Sequence, residues 1–189
     1  MPPRIRFTRE DILNAAFEIA RESGMDALNA RSIAARLGSS TQPLFRVFAG
    51  MEDIRAGVLE KAAQAFDVCV RAEDDSDIPL YKRTGMAYIR FAREEPWLFK
   101  LMFMSDRAGK AGSPVDNSTM TYVMDAGADA TGLTADQMED FHLHMWIYVH
   151  GLASMIATGF LVLDDETVSR LITRNYLALK QSFFSREKQ

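Results

Sequence analysis

The sequence predicts an all-α protein of about nine helices, with a three-helix domain at residues 1–50 joined to a larger helical domain at 51–189. Three observations predict it. Apolar residues return every three or four positions along nearly the whole chain, the period of a single helix face. No stretch alternates apolar with polar residues, and no Asn-Gly pair marks a hairpin. Helix-starting Ser, Thr and Asn and helix-ending Gly recur at intervals that suit both short and long helices.

Taken in order, Thr8 to Asp11 is a capping-box pattern, and Ile12, Leu13, Ala16, Phe17 and Ala20 form one apolar face before Gly24 ends the helix. Asn29 caps a second, short helix whose Ile33, Ala34 and Leu37 face inward until Gly38 turns the chain. Ser39-Ser40-Thr41 offers capping hydroxyls for a third, with Pro43 in its first turn and Leu44, Val47 and Phe48 inward; Gly50 ends the unit. A longer helix runs from Met51 to about Arg71 on Ile54, Val58, Ala62, Ala65, Phe66 and Cys69. After the polar break Glu73–Asp77, Leu80, Thr84, Tyr88 and Phe91 mark a helix that stops before Pro96, where a short aromatic helix opens and runs to about Met104. Ser105–Pro114 reads as a mobile loop, followed by a helix near Val115–Ala128. Thr134 with Gln137 starts a long helix to about Phe160, and the last helix, after Asp164, carries Val168, Leu171, Ile172, Tyr176, Leu179 and Phe183 on one stripe.

Apolar residues make up 48% of the chain and charged residues 25%, an ordinary globular composition that excludes disordered and fibrous classes. The single cysteine, Cys69, cannot form an internal disulfide, and Met1-Pro2-Pro3-Arg4 lacks the apolar stretch of a secretory signal; cytoplasm is the expected location. Trp146–Leu163 holds no Asp, Glu, Lys or Arg, but His150 and several small residues lie inside it and no basic residues flank it, so a buried bundle helix is expected and a membrane span is not. Net charge is −4, unevenly placed: residues 1–50 carry seven arginines against five acids, leaving −6 on the remainder. A basic end on an acidic body is compatible with one DNA-facing surface, because attraction to phosphates follows the local field.

The three short N-terminal helices have the spacing of a helix-turn-helix, in which one helix, here residues 30–37, braces the next against the major groove. Ala34 keeps the brace thin and Gly38 permits a turn with positive φ. Ile33-Ala34-x-x-Leu37-Gly38-x-Ser40, Leu44-Phe45-x-x-Phe48 and Glu52-x-Ile54 together resemble the N-terminal signature of the TetR (tetracycline repressor) family over roughly residues 8–60. That resemblance implies a dimeric, ligand-responsive regulator, expected to be a repressor, on palindromic double-stranded operator DNA. It implies that Ser40, Thr41, Gln42 and Pro43 meet base edges or backbone with Phe45 and Arg46 nearby, that Arg31 clamps a phosphate, and that Arg4 and Arg6 form a basic arm. Side-chain chemistry agrees: Gln42 can read adenine in bidentate fashion, Arg46 can reach guanine or phosphate, and Thr41 can touch a thymine methyl. Phe45 stands where the family usually has Tyr, and Met51 where Lys is usual, so fewer phosphate contacts are expected.

In the larger domain, Trp146-Ile147-Tyr148-Val149-His150-Gly151 resembles a Trp-x-x-x-His-Gly element of one subset of the family. The resemblance implies a four-helix dimer bundle, with Trp146, Gly151, Ala157, Leu171, Tyr176 and Leu179 as candidate contacts. It also implies a site for a small apolar or amphipathic effector, for which Tyr88, Phe91, Trp97, Met102, Phe103, Tyr122 and Met145 are candidates, being aromatic or pliable.

Two other readings compete with a DNA-binding regulator. An enzyme needs a site, and none assembles: His142 and His144 are two apart on a helix and point to nearly opposite faces, His150 lies about 12 Å from His142 along the axis, and Cys69 falls on an apolar stripe. No metal, cofactor or catalysis is expected. The other rival is a helical module that binds protein rather than DNA.

Overall fold

The computed structural model describes residues 7–72, 77–106 and 115–186. Among them are nine α-helices, one 3-10 turn at Met25–Ala27 and no strand. The helices are α1 (Arg9–Ser23), α2 (Ala30–Arg36), α3 (Leu44–Val47), α4 (Met51–Arg71), α5 (Leu80–Glu94), α6 (Pro96–Phe103), α7 (Asn117–Thr131), α8 (Ala135–Ala157) and α9 (Asp165–Arg186).

The chain divides into two compact units: residues 1–65 with 95–114, and residues 66–94 with 115–189. The division falls within α4 rather than at residue 50, and the aromatic helix α6 belongs to the first unit. The cause lies in packing: Ile54 and Val58 on α4 are fully buried in the same core as Ile12, Ala16, Leu28, Ile33 and Leu44.

Local chemistry explains the boundaries of the first unit. Asp11 N–H donates to Thr8 Oγ1 at 3.1 Å and Thr8 N–H to Asp11 Oδ2 at 2.8 Å, closing the capping box of α1. Gly24 ends the helix at φ +79, with the Trp97 ring where a Cβ would stand, 2.7 Å from Cε3. Asn29 Oδ1 accepts from the N–H groups of Arg31 and Ser32, both at 3.0 Å, and starts α2. Gly38 turns the chain at φ +60, as its place in the sequence predicts. The start of α3 differs from expectation. Pro43 occupies the N-cap position, without a capping side chain, and Ser39 Oγ donates instead to Ser40 O at 3.0 Å. A bond from Leu44 N–H to Thr41 O, 3.2 Å, makes the lead-in a tight turn, so α3 is only four residues long.

In the second unit Asp116 accepts from Ser118 N–H at 2.7 Å, which shifts the start of α7 to Asn117. Gly132, in the left-handed region, ends it at Thr131. Thr134 and Gln137 cap α8 as a capping box, and α8 stops at Ala157, three residues before the expected Phe160, with Gly159 at φ +73. No described helix is long and apolar enough to cross a membrane. Most of the expected loop at 105–114 lies outside the described residues.

Candidate nucleic-acid interface and candidate ligand cavity

In the first unit, Ile33 on α2 and Leu44 on α3 are both fully buried, and Phe48 is nearly so; these anchors turn the opposite side of α3 outward. Ser40, Gln42, Phe45 and Arg46 are exposed there, with Thr41 and Pro43 half-buried beside them. The arginines sort into two groups. Arg9 pairs with Asp53 at 3.0 Å and stacks over Phe48, Arg36 pairs with Glu22 at 3.0 Å, and Arg21 pairs with Glu95. These pairs hold the carboxyls of Asp53 and Glu22 below their usual range through the arginine hydrogen bonds. Arg31 and Arg46 are exposed and have no ion-pair partner among the described residues. Arg4 and Arg6 lie outside the described residues.

The second unit encloses a cavity of about 510 Å³ among α5, α7, α8, α9 and the end of α4. Phe66, Val70, Val123, Met145, Val149 and Ile172 make most of its wall apolar. Polar groups in the wall are tied to one another. Trp146 donates to the Tyr88 hydroxyl, which lies 2.9 Å from His150 Nδ1, and His150 Nε2 lies 3.3 Å from Ser154 Oγ. Tyr81 makes a parallel rung to His142 Nδ1, also at 2.9 Å. Burial pushes both tyrosine hydroxyls well above the usual phenol range and draws both histidines below the usual imidazole value, so all four are neutral near pH 7. Outside the cavity lining, Asp67 accepts from Thr119 and from Arg71 (2.7 Å); burial raises this carboxyl, but the two hydrogen bonds outweigh it and leave it lowered.

The expected effector residues are dispersed. Tyr88 and Met145 line the cavity. Phe91 is buried behind it, edge-on to Phe66 at 5.3 Å, because its place on α5 turns it toward α4. Tyr122 lies under the Arg71 guanidinium, 4.7 Å from its ring centre. Trp97, Met102 and Phe103 belong to the first unit, where Met102 is fully buried and Phe103 packs on Phe99 at 5.1 Å. Sequence reasoning missed His142, Tyr81 and Thr119, whose partners come from other helices and leave no local signal.

The expected dimer residues divide too. Ala157 is buried within its own chain, and Tyr176 turns inward, donating to Ala130 O at 3.0 Å and lining the cavity. Trp146 is 41% exposed yet also lines the cavity. Gly151, Leu171 and Leu179 are half-buried. The outward apolar residues of α8 and α9 are instead Leu143, Ile147 and Phe184, while Leu177, also exposed, lines the cavity.

A helix-turn-helix unit and a helical unit holding an apolar cavity define a ligand-binding transcription regulator. Residues 12–58 match the family of bacterial regulatory proteins, tetR family, and residues 82–176 match the tetracyclin repressor-like C-terminal domain. The chain belongs to the TetR family. Solved structures share the fold: a TetR family protein from Vibrio parahaemolyticus (19% identity, 89% of this chain and 96% of that one, TM-score 0.61) and a transcriptional regulator from Rhodococcus sp. Rha1 (17%, 93% and 97%, 0.62). A TetR variant from Acinetobacter baumannii AYE in complex with minocycline is also similar (16%, 95% and 98%, 0.56). No curated protein matches the sequence.

Proposed function

We propose that the protein is a cytoplasmic, homodimeric repressor that reads a palindromic operator through Arg31, Ser40, Thr41, Gln42, Pro43, Phe45 and Arg46. A small apolar or amphipathic effector in the second-unit cavity releases it. The observation that carries the DNA reading is the sorting of the arginines between residues 7 and 50: three are held by carboxylates, while Arg31 and Arg46 are exposed and unpaired among the described residues. Unpaired guanidinium groups beside an exposed glutamine suit phosphate positioning and base readout on one surface. The exposed apolar residues Leu143, Ile147 and Phe184 support pairing with a second copy, and the minocycline complex of the Acinetobacter relative supports a small-molecule effector. Regulation rather than catalysis is the role of this family.

The test starts from a duplex selected out of random DNA. Gln42→Ala is expected to cost about 1–3 kcal/mol at one half-site position, whereas Arg31→Ala weakens all sequences and flattens the salt slope by about one unit. Equal, sequence-blind losses would remove the assignment. Ile147→Asp is expected to halve the mass in sedimentation equilibrium; an unchanged mass would place the dimer contact elsewhere.

A further inference from the structure

One charged residue lies in the cavity wall among the described residues. Lys82, half-buried on α5, lines the cavity, and no acid does. Hydroxyls around it are committed: Thr84 donates to Tyr81 O at 2.8 Å, Thr173 to Ser169 O at 2.8 Å, Thr119 to Asp67, and Tyr176 to Ala130 O. The Lys82 ammonium has neither an ion pair nor a hydrogen bond among the described residues. It also lines an adjoining open depression, together with Arg170, Arg174 and Glu166. Arg174 has no ion pair among the described residues, and Arg170 reaches Thr167 Oγ1, at 3.3 Å, and acts electrostatically on Asp164. Three cations against one acid thus surround the mouth, on a part of the chain whose net charge is negative.

A half-buried lysine in the wall of an apolar cavity, without a counter-ion among the described residues, is an arrangement that a bound anion improves. We infer that the cavity takes a monocarboxylate amphiphile, its apolar body against Phe66, Val70, Val149 and Ile172 and its carboxylate on Lys82, with Arg174 and Arg170 drawing the anion to the mouth. This rests on the reading of the cavity as the effector site and adds the charge of the ligand. A cationic drug-like effector is disfavoured by the same groups, and a neutral one leaves Lys82 unpaired.

The experiment compares three ten-carbon probes, decanoate, decan-1-ol and decylamine, on the full-length protein by calorimetry below their aggregation concentrations. Decanoate is expected to bind about tenfold or more tightly than decanol, the usual difference made by one charge-assisted hydrogen bond, and decylamine most weakly. Lys82→Met removes the preference for decanoate while decanol still binds. Gly85→Phe weakens both by filling the cavity, since a Cβ there meets only Ile172 and Val149, at 3.8 and 3.9 Å. Circular dichroism on each variant verifies that it is folded, and Gly85→Leu replaces the phenylalanine variant where it is not. The inference is overturned by equal affinity for decanoate and decanol, by a preference that survives Lys82→Met, by binding indifferent to Gly85→Phe or Gly85→Leu, or by no binding of any probe. Repeating the decanoate titration with operator present separates the two ideas. Unchanged affinity with Lys82-dependent binding defeats the effector role and leaves the anion site standing.

Discussion

The two units handle their interiors in opposite ways. In the first, Ile12, Ala16, Leu28, Ile33, Leu44, Ile54 and Val58 are packed until none has measurable exposure, and a Cβ on Gly57 would stand 2.6 Å from Leu13 Cδ2. In the second, side chains that could have met across the centre leave about 510 Å³ open, and polar rungs brace the wall. Closure suits a surface that must present a four-residue helix in one position, because so short a helix has no stability of its own and takes its geometry from Leu44 and Phe48. An open centre suits a part that binds a ligand, and its satisfied hydrogen bonds keep it from collapsing into many arrangements.

The largest expected effect contrasts two truncations. Leu44→Ala removes the anchor of α3 from a closed core and is expected to cost about 2–5 kcal/mol of first-unit stability along with DNA binding. Val149→Ala only widens an existing cavity and is expected to cost about 1–2 kcal/mol. Denaturant unfolding followed by hydrogen exchange within each unit measures both; similar losses would break the contrast. A subtler pair exchanges glycine for alanine within helices. Gly85→Ala meets nothing nearer than 3.8 Å and is expected to stabilise by about 0.5–1 kcal/mol, whereas Gly57→Ala must displace Leu13 and is expected to gain nothing or to destabilise. Matching shifts in melting temperature would show that the first core is looser than its packing.

The smallest effect is in pH. All three histidines, 142, 144 and 150, lie in the second unit. Burial lowers His142 and His150 from the ordinary value of 6.5, so the unfolded chain takes up protons first as pH falls. Second-unit stability is therefore full above about pH 6.5 and declines below it, toward the depressed native values. The first unit has lowered carboxyls, Asp11, Glu22 and Asp53, whose contribution is present above their ordinary values of 3.8 to 4.5 and is lost only below them. Hydrogen exchange at pH 7 and 5.5 is expected to show loss of protection in the second unit alone, and His142→Gln to reduce it. Equal slopes in the two units would contradict this.

Helix starts were legible because they depend on neighbours in sequence: Thr8 with Asp11, Asn29 with Ser32 and Thr134 with Gln137 all close as capping boxes. The head of α3 was not, since the Ser39 hydroxyl has a backbone partner outside a helix, Ser40 O, and the Thr41 carbonyl closes a turn onto Leu44 N–H. For the cavity, periodicity placed Phe91 on a helix stripe and Met102 was a candidate for its pliability, but burial in a core and lining of a void produce the same pattern along a helix. Tyr81 and His142 are 61 residues apart, so their rung exists only in three dimensions. The arginines of the first unit were legible as a charge excess, yet which of them are free depends on acids as distant as Glu95.

The two tryptophans fall one to a unit, Trp97 against Gly24 and Trp146 in the hydrogen-bonded row that ends at Ser154. Each half of the molecule thus carries its own fluorophore. In a Trp97→Phe protein the remaining emission comes from an indole tilted against the His150 ring, 5.3 Å between ring centres, and protonated imidazole is an efficient quencher. Light from this one residue would follow ligand entry and acidification together, without any label.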